Sequence, residues 1–175
     1  MSSFSLSGKR FRISRSLVII SLFLSLSLFA LAQVNLKYRL LNGYSLSTEA
    51  TVNKGKPTLF VFEQAETFEQ VFKAAPTSTK RPDQPNFSKE MVVGVTITAT
   101  NKPPRLSVSR VFVQDSTLTV RYIRQVDSSM INNPQAFMSQ PMLLIAIPKQ
   151  TVLRTKLVEN GRVVQTLKKK EEKDQ

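Results

Sequence analysis

Residues 87–99 read Phe-Ser-Lys-Glu-Met-Val-Val-Gly-Val-Thr-Ile-Thr-Ala, with no charge after Glu90. A run of Val, Ile, Thr and Met of this length reads as a strand buried on one or both faces, which places it inside a sheet rather than at its edge. The segments on either side then have to pack against it, and each carries a matching signal. Residues 58–62, Thr-Leu-Phe-Val-Phe, are dense in strand formers. In residues 66–75, Phe68, Val71, Phe72 and Ala75 recur at i, i+3, i+4 and i+7, the spacing of one helix face. Glu66 and Glu69 suit the start of that helix and Lys73 its end, and Pro76 stops it. The aromatic stripe reads as core packing.

Residues 76–86 hold Pro76, Pro82 and Pro85 among polar residues and read as a mobile surface connector. Beyond the central strand, residues 100–105 make a turn. Residues 106–113 follow as a strand whose phase breaks: Leu106 and Val108 share one face with Val111 and Val113 only if a bulge near Ser109-Arg110 resets the register. Asp115-Ser116 links it to a strand over 117–126, completing a hairpin. Residues 127–139 are polar and irregular. A second strand spans 140–149, charge-free up to Lys149, with Pro141 and Pro148 at its ends. Residues 151–159 and 162–167 flank Asn160-Gly161, a strong hairpin signal. Residues 168–175 form a charged tail expected to be disordered.

The first 32 residues have the three parts of an export signal. Lys9, Arg10, Arg12 and Arg15 are followed by an apolar stretch over 17–31, and Ala30 and Ala32 place the cut before Gln33. The stretch is shorter than the ~20 apolar residues of a spanning helix, so no membrane span is expected after cleavage. The processed chain is expected outside the cytoplasm, periplasmic or secreted. Residues 33–56 read as a lead-in strand pair: Leu36, Tyr38 and Leu40 alternate with Lys37 and Arg39, Asn42-Gly43 turns, and residues 46–52 return. The expected organisation is a leader over 1–32, the lead-in over 33–56, and one domain over 57–167. The fold class is α+β, mostly β, an antiparallel sandwich-like domain with one short helix packed on a sheet.

The 175 residues contain no Cys and no His. A Cys- or His-ligated metal site, a disulfide framework and every nucleophile–histidine arrangement are therefore excluded. Only a carboxylate pair such as Asp83 with Glu90, a Ser-Lys pair such as Ser88-Lys89, or an acidic Mg²⁺ or Ca²⁺ site remains for catalysis. The chain is read as no enzyme, with no catalytic, metal or cofactor residues. With 25 basic and 12 acidic residues the chain carries +13. Without the four basic residues of the leader, 21 basic residues against 12 acidic leave +9. That balance suits acidic partners or anionic envelope polymers, with strong salt dependence. A solubility surface is the plainer reading, and patch against scatter decides between them.

The order strand, helix, proline loop, Phe-Ser-Lys-Glu-Met strand, hairpin and Gln-Pro strand resembles the PrcB-like family, named for an accessory subunit of an exported bacterial protease complex. The matching residues are 87–95, Leu118-Thr119-Val120, Gln140-Pro141 and 145–149, within about residues 58–149. The resemblance implies a non-enzymatic module that binds another exported protein, such as a protease that it stabilises or regulates. Where the family tends to have a Gly-Gly-Tyr-like stretch, this chain has Asn101-Lys102-Pro103-Pro104-Arg105-Leu106. Lys102, Pro103, Pro104 and Arg105 are thus the candidate binding turn, and the departure bears on whether the family's contact is kept. The alternative is a basic envelope protein that binds acidic glycans or lipid head groups. No nucleic-acid partner is expected.

Overall fold

The computed structural model describes residues 33–75, 80–126 and 128–169, within one compact unit, Gln33–Gln175. The expected leader, with Ala30 and Ala32, lies outside the described residues, as do positions 76–79 of the proline loop and 170–175 of the tail. Gln33 is the first described residue and directly precedes β1 (Val34–Asn35).

The fold is mostly β, with two sheets and a ribbon. The four-stranded sheet has the order β2 (Arg39–Leu40), β9 (Met142–Pro148), β6 (Glu90–Thr96), β4 (Thr58–Phe62). The sequence places its central strand correctly: β6 pairs antiparallel with β4 on one side and β9 on the other. Both faces of β6 are covered, which is why its sequence carries no polar alternation. Met91, Val93 and Val95 point into a core shared with the other sheet, where they join Ile145, Ile147, Leu118, Val120, Tyr122 and Leu157. Val92 points the opposite way, toward Phe62, Phe68, Phe72, Leu144 and Ala146. Gly94 lies on that second face, where an added Cβ would stand 3.0 Å from both the Phe72 ring and Leu144. A side chain there would displace the ring.

The second layer is the short helix α1 (Ala65–Val71) with a ribbon of β3 (Tyr44–Leu46) and β5 (Phe72–Ala74). Phe60, Phe62, Phe68, Phe72, Phe87 and Tyr44 meet there, mostly edge to face, with ring centroids 5.1 to 6.0 Å apart. The helix is shorter than the periodicity predicts. It ends at Val71, and Phe72, Lys73 and Ala74 pair with Leu46, Ser45 and Tyr44. Phe68 and Phe72 both remain buried, because a strand starting at Phe72 can aim its ring into the same cluster. Lys73 therefore sits in β5 rather than at a helix end.

The five-stranded sheet has the order β1 (Val34–Asn35), β7 (Arg105–Gln114), β8 (Thr117–Gln125), β10 (Arg154–Glu159), β11 (Arg162–Lys168). The β7–β8 and β10–β11 hairpins form as the turn residues predict. Asp115 and Ser116 have φ of 48° and 53°, and Asn160 and Gly161 have 48° and 85°, left-handed values that match the twist of two-residue hairpins. The sheet is mixed rather than purely antiparallel, since β8 and β10 run parallel. The chain reaches β10 only after crossing to the other sheet as β9, so these two strands meet with the same polarity.

Three further expectations are corrected. The lead-in strands do not pair with one another: β1 pairs with β7, β2 with β9 and β3 with β5. The region expected as irregular, 127–139, contains a second short helix, α2 (Ser128–Asn132). Residues 168 and 169, expected in a disordered tail, are ordered: Lys168 closes β11, the Lys169 amide donates to the Leu153 carbonyl at 2.9 Å, and its ammonium meets Glu63 at 2.8 Å. Among the described residues no helix is long and apolar enough to cross a membrane.

Candidate functional site: the outer face of the five-stranded sheet

Alternation fixes which side chains of this sheet face away from the core. Leu106, Val108, Val111 and Val113 of β7 all pack inward. They can do so because the register shifts between Val108 and Arg110, where the bulge was expected. The bulge at Ser109 turns Arg110 outward; with Ser109 in regular register, alternation from Leu106 and Val108 would aim Arg110 into the core.

The outward positions then form cross-strand rows. Gln114, Thr117, Arg154 and Lys168 make one row. Phe112, Thr119, Lys156 and Thr166 make the next, and Arg110, Arg121, Val158 and Val163 the third. Ser107 with Ile123 and Arg105 with Gln125 continue toward the far end. Strands lie about 4.8 Å apart and outward positions about 7 Å apart along each strand. The basic residues thus run diagonally, from Lys168 on β11 to Arg105 on β7.

No outward position of β7, β8, β10 or β11 holds Asp or Glu. Asp115 lies in the turn beyond the last row. The stems of the basic residues cover the sheet beneath them, as long charged side chains do. Thr119 and Val158 are buried on this otherwise open face, and the Phe112 ring is only 4% exposed. Guanidinium carbons of Arg110 and Arg121 lie 5.2 and 5.4 Å from the Phe112 ring centroid. Asn35 of β1 accepts from Arg110 Nε at 2.8 Å.

The candidate turn lies at one end of this diagonal and is firmly held. Thr100 and Ser139 exchange backbone hydrogen bonds of 2.8 and 2.9 Å, and the Asn101 carbonyl accepts from the Gln135 amide at 2.8 Å. The Lys102 amide donates to Thr100 Oγ1. Pro103 and Pro104 are half-buried, Lys102 and Arg105 are exposed, and Arg105 opens β7 beside Gln125. The turn thus joins the basic face. No signal in the turn itself could have shown this, since the connection depends on the β7–β8–β10 strand order.

The residues considered for catalysis occupy other places. Asp83 accepts from the Asn42 amide and side chain at 2.9 and 3.0 Å, bonds that hold its carboxyl below the usual range. Glu90 is gripped by Arg39 through Nε and the terminal nitrogen at 3.2 and 2.9 Å, and also accepts from the Asn86 amide. The Arg39 hydrogen bonds depress its pKa most, with the Asn86 amide adding to them. Both carboxylates therefore stay ionised and pin the proline loop, of which residues 80–86 are described. The Tyr44 hydroxyl donates to the Asp83 carbonyl, and the Asp83 amide donates to Asn42 O. Gly43, at φ 83°, has Pro82 so close that a Cβ would stand 2.9 Å from its Cα. This described part is a fastened strap, not the mobile connector expected. Ser88 Oγ donates to Asn86 Oδ1 at 2.6 Å, and nothing pairs it with Lys89.

At the end of the sandwich the Tyr122 hydroxyl donates to Glu159, which also meets Arg124 at 3.8 Å. Burial, then the Glu159 hydrogen bond, pushes the Tyr122 pKa up. A cleft of about 340 Å³ lies between Val61, Thr67, Val152, Leu167 and the Lys169–Glu63 pair. Among the described residues no group of three or more Asp or Glu is placed to hold a metal ion. No family model matches the chain, and neither curated proteins nor solved structures give a match.

Proposed function

We propose that this chain is an exported, non-catalytic binding module whose contact surface is the outer face of the five-stranded sheet, and that it docks on an acidic polysaccharide of the cell envelope. One observation carries the reading: Arg110, Arg121, Arg154, Lys156 and Lys168 share that face in register, and no carboxylate shares it. A solubility surface mixes both signs of charge. A single-sign field over a packed sheet instead draws in and orients a polyanion. No cofactor, metal or nucleic acid enters this reading.

Retention on an immobilised polyuronate, eluted with a salt gradient, tests it. The wild type should be retained at low salt and elute as salt rises. A variant with those five residues changed to Gln should pass through. A control with Lys37, Lys54, Lys56, Lys73 and Lys89 changed to Gln should still be retained. Equal loss from both variants would reduce the effect to net charge and sink the reading.

A second reading keeps the PrcB-like resemblance: a protein partner such as an extracytoplasmic protease. One observation favours it. β1 pairs with β7 at Phe112 and Val113 and the Leu36 amide donates to the Val111 carbonyl at 2.9 Å, so the β7 edge from Arg105 to Arg110, beside the Lys102–Arg105 turn, has no strand partner among the described residues. Such an edge suits strand addition by a partner. Tyr38 narrows it by donating to the Val108 carbonyl at 3.3 Å. Pull-down of the tagged protein from envelope extract should then recover a stoichiometric protein, lost on Val108→Pro; recovery of none would remove this reading.

A further inference from the structure

We infer that Arg110, Phe112 and Arg121 form an oxyanion clamp that takes a carboxylate of an acidic polysaccharide between the two guanidinium groups. The clamp presupposes the reading of the outer face given above, and names the group within that face which does the recognising. Arg110 and Arg121 are direct cross-strand partners. Like charges at such positions repel. Elsewhere, the ion pairs Arg39–Glu90, Arg124–Glu159 and Lys169–Glu63 each give a cation its carboxylate. Here the two cations converge on one aromatic ring.

Three features build the site rather than merely permit it. The bulge at Ser109 turns Arg110 to the outer face beside Arg121. Both guanidinium carbons lie against the Phe112 ring, at 5.2 and 5.4 Å from its centroid, a contact that uses none of their N–H donors. Asn35 fixes Arg110 through Nε and so orients its remaining nitrogens. The Arg121 guanidinium meets no acceptor among the described residues. A carboxylate placed between the forks would accept bidentate hydrogen bonds and cancel the repulsion. A planar carboxylate matches a planar fork better than a point charge does. Lys156 and Arg154, one and two rows along the neighbouring strand, would meet successive charges of the same polymer.

Calorimetric titration of the full chain with galacturonate oligomers at low salt tests the clamp. Loss of a charge-assisted bidentate contact should weaken binding about tenfold in Arg110→Gln and in Arg121→Gln, against about two- to threefold in Lys156→Gln. Arg121→Lys keeps the charge but not the fork, and should still lose about fivefold. The thermal midpoint of Arg121→Gln should not fall, because a repulsion is removed. If that variant unfolds, Arg121→Lys alone carries the test. Equal losses in Arg121→Gln and Lys156→Gln would overturn the clamp and leave the face intact. Tighter binding of a sulfated oligosaccharide or of anionic vesicles would overturn the choice of a carboxylate polymer. Failure of the wild type to bind any of these probes would overturn the face reading and the clamp together.

Discussion

β6 and β8 are both long, regular strands in the middle of a sheet, yet they use their two faces differently. β6 is buried on both sides: Met91, Val93 and Val95 against the opposite sheet, and Val92 and Gly94 against the aromatic layer. β8 buries Leu118, Val120 and Tyr122 on one side and turns Thr117, Arg121, Ile123 and Gln125 outward. The difference separates scaffold from surface. The four-stranded sheet is enclosed by two layers of side chains and presents little beyond its edges. The five-stranded sheet keeps one face open and lines it with cations.

Substitutions on the two sheets should therefore differ in kind. The largest loss of stability is expected for Phe72→Ala, which empties a fully buried aromatic position and should cost about 3–5 kcal/mol. Gly94→Val should follow, at about 1–3 kcal/mol, because its side chain overpacks against the Phe72 ring. Urea unfolding midpoints would rank the two; a Gly94→Val protein as stable as the wild type would mean that the aromatic layer is loosely packed.

Next comes Arg39→Ala, which removes the bidentate grip on Glu90. The pair is partly solvated, so about 1 kcal/mol is expected at neutral pH. Glu90 has a folded pKa below its ordinary 4.5. Its contribution is thus complete above pH 4.5 and is lost as pH falls through the lower folded value. Stability measured from pH 7 down to pH 3 should decline less steeply in Arg39→Ala than in the wild type; parallel curves would mean that Glu90 is not the group responsible.

Arg121→Gln lies at the other end of the comparison. It should leave stability unchanged or raise it by a few tenths of a kcal/mol, since it relieves a like-charge cross-strand pair. A destabilisation above about 1 kcal/mol would mean that Arg121 serves the fold, as a cover for Phe112, more than it serves binding.

Much of the scaffold was legible because its signals are local. The charge-free runs marked β6 and β9, Asn160-Gly161 marked a hairpin, and the phase break at Ser109-Arg110 marked the bulge. The periodicity overextends the helix because Phe72 satisfies a helical spacing and a strand-start position equally well; pairing with Tyr44–Leu46, remote in sequence, decides between them. The two-residue strands β1 and β2 take their partners from more than 70 positions away, so no short-range pattern could assign them. The site was hidden for the same reason. Arg110, Arg121 and Lys156 are scattered along the chain, and only the parallel β8–β10 pairing brings the last two onto one face. The net charge announced a basic protein; strand order placed the charge.

The most direct test of the account is a map of backbone amide shifts by NMR as galacturonate oligomers are added to the protein. Perturbations should concentrate at Arg110, Phe112, Thr119, Arg121, Arg154 and Lys156 and fade as salt is raised, while β4, β6 and the α1 layer stay unchanged. Perturbations centred on the aromatic layer or the proline strap, or no perturbation anywhere, would contradict it.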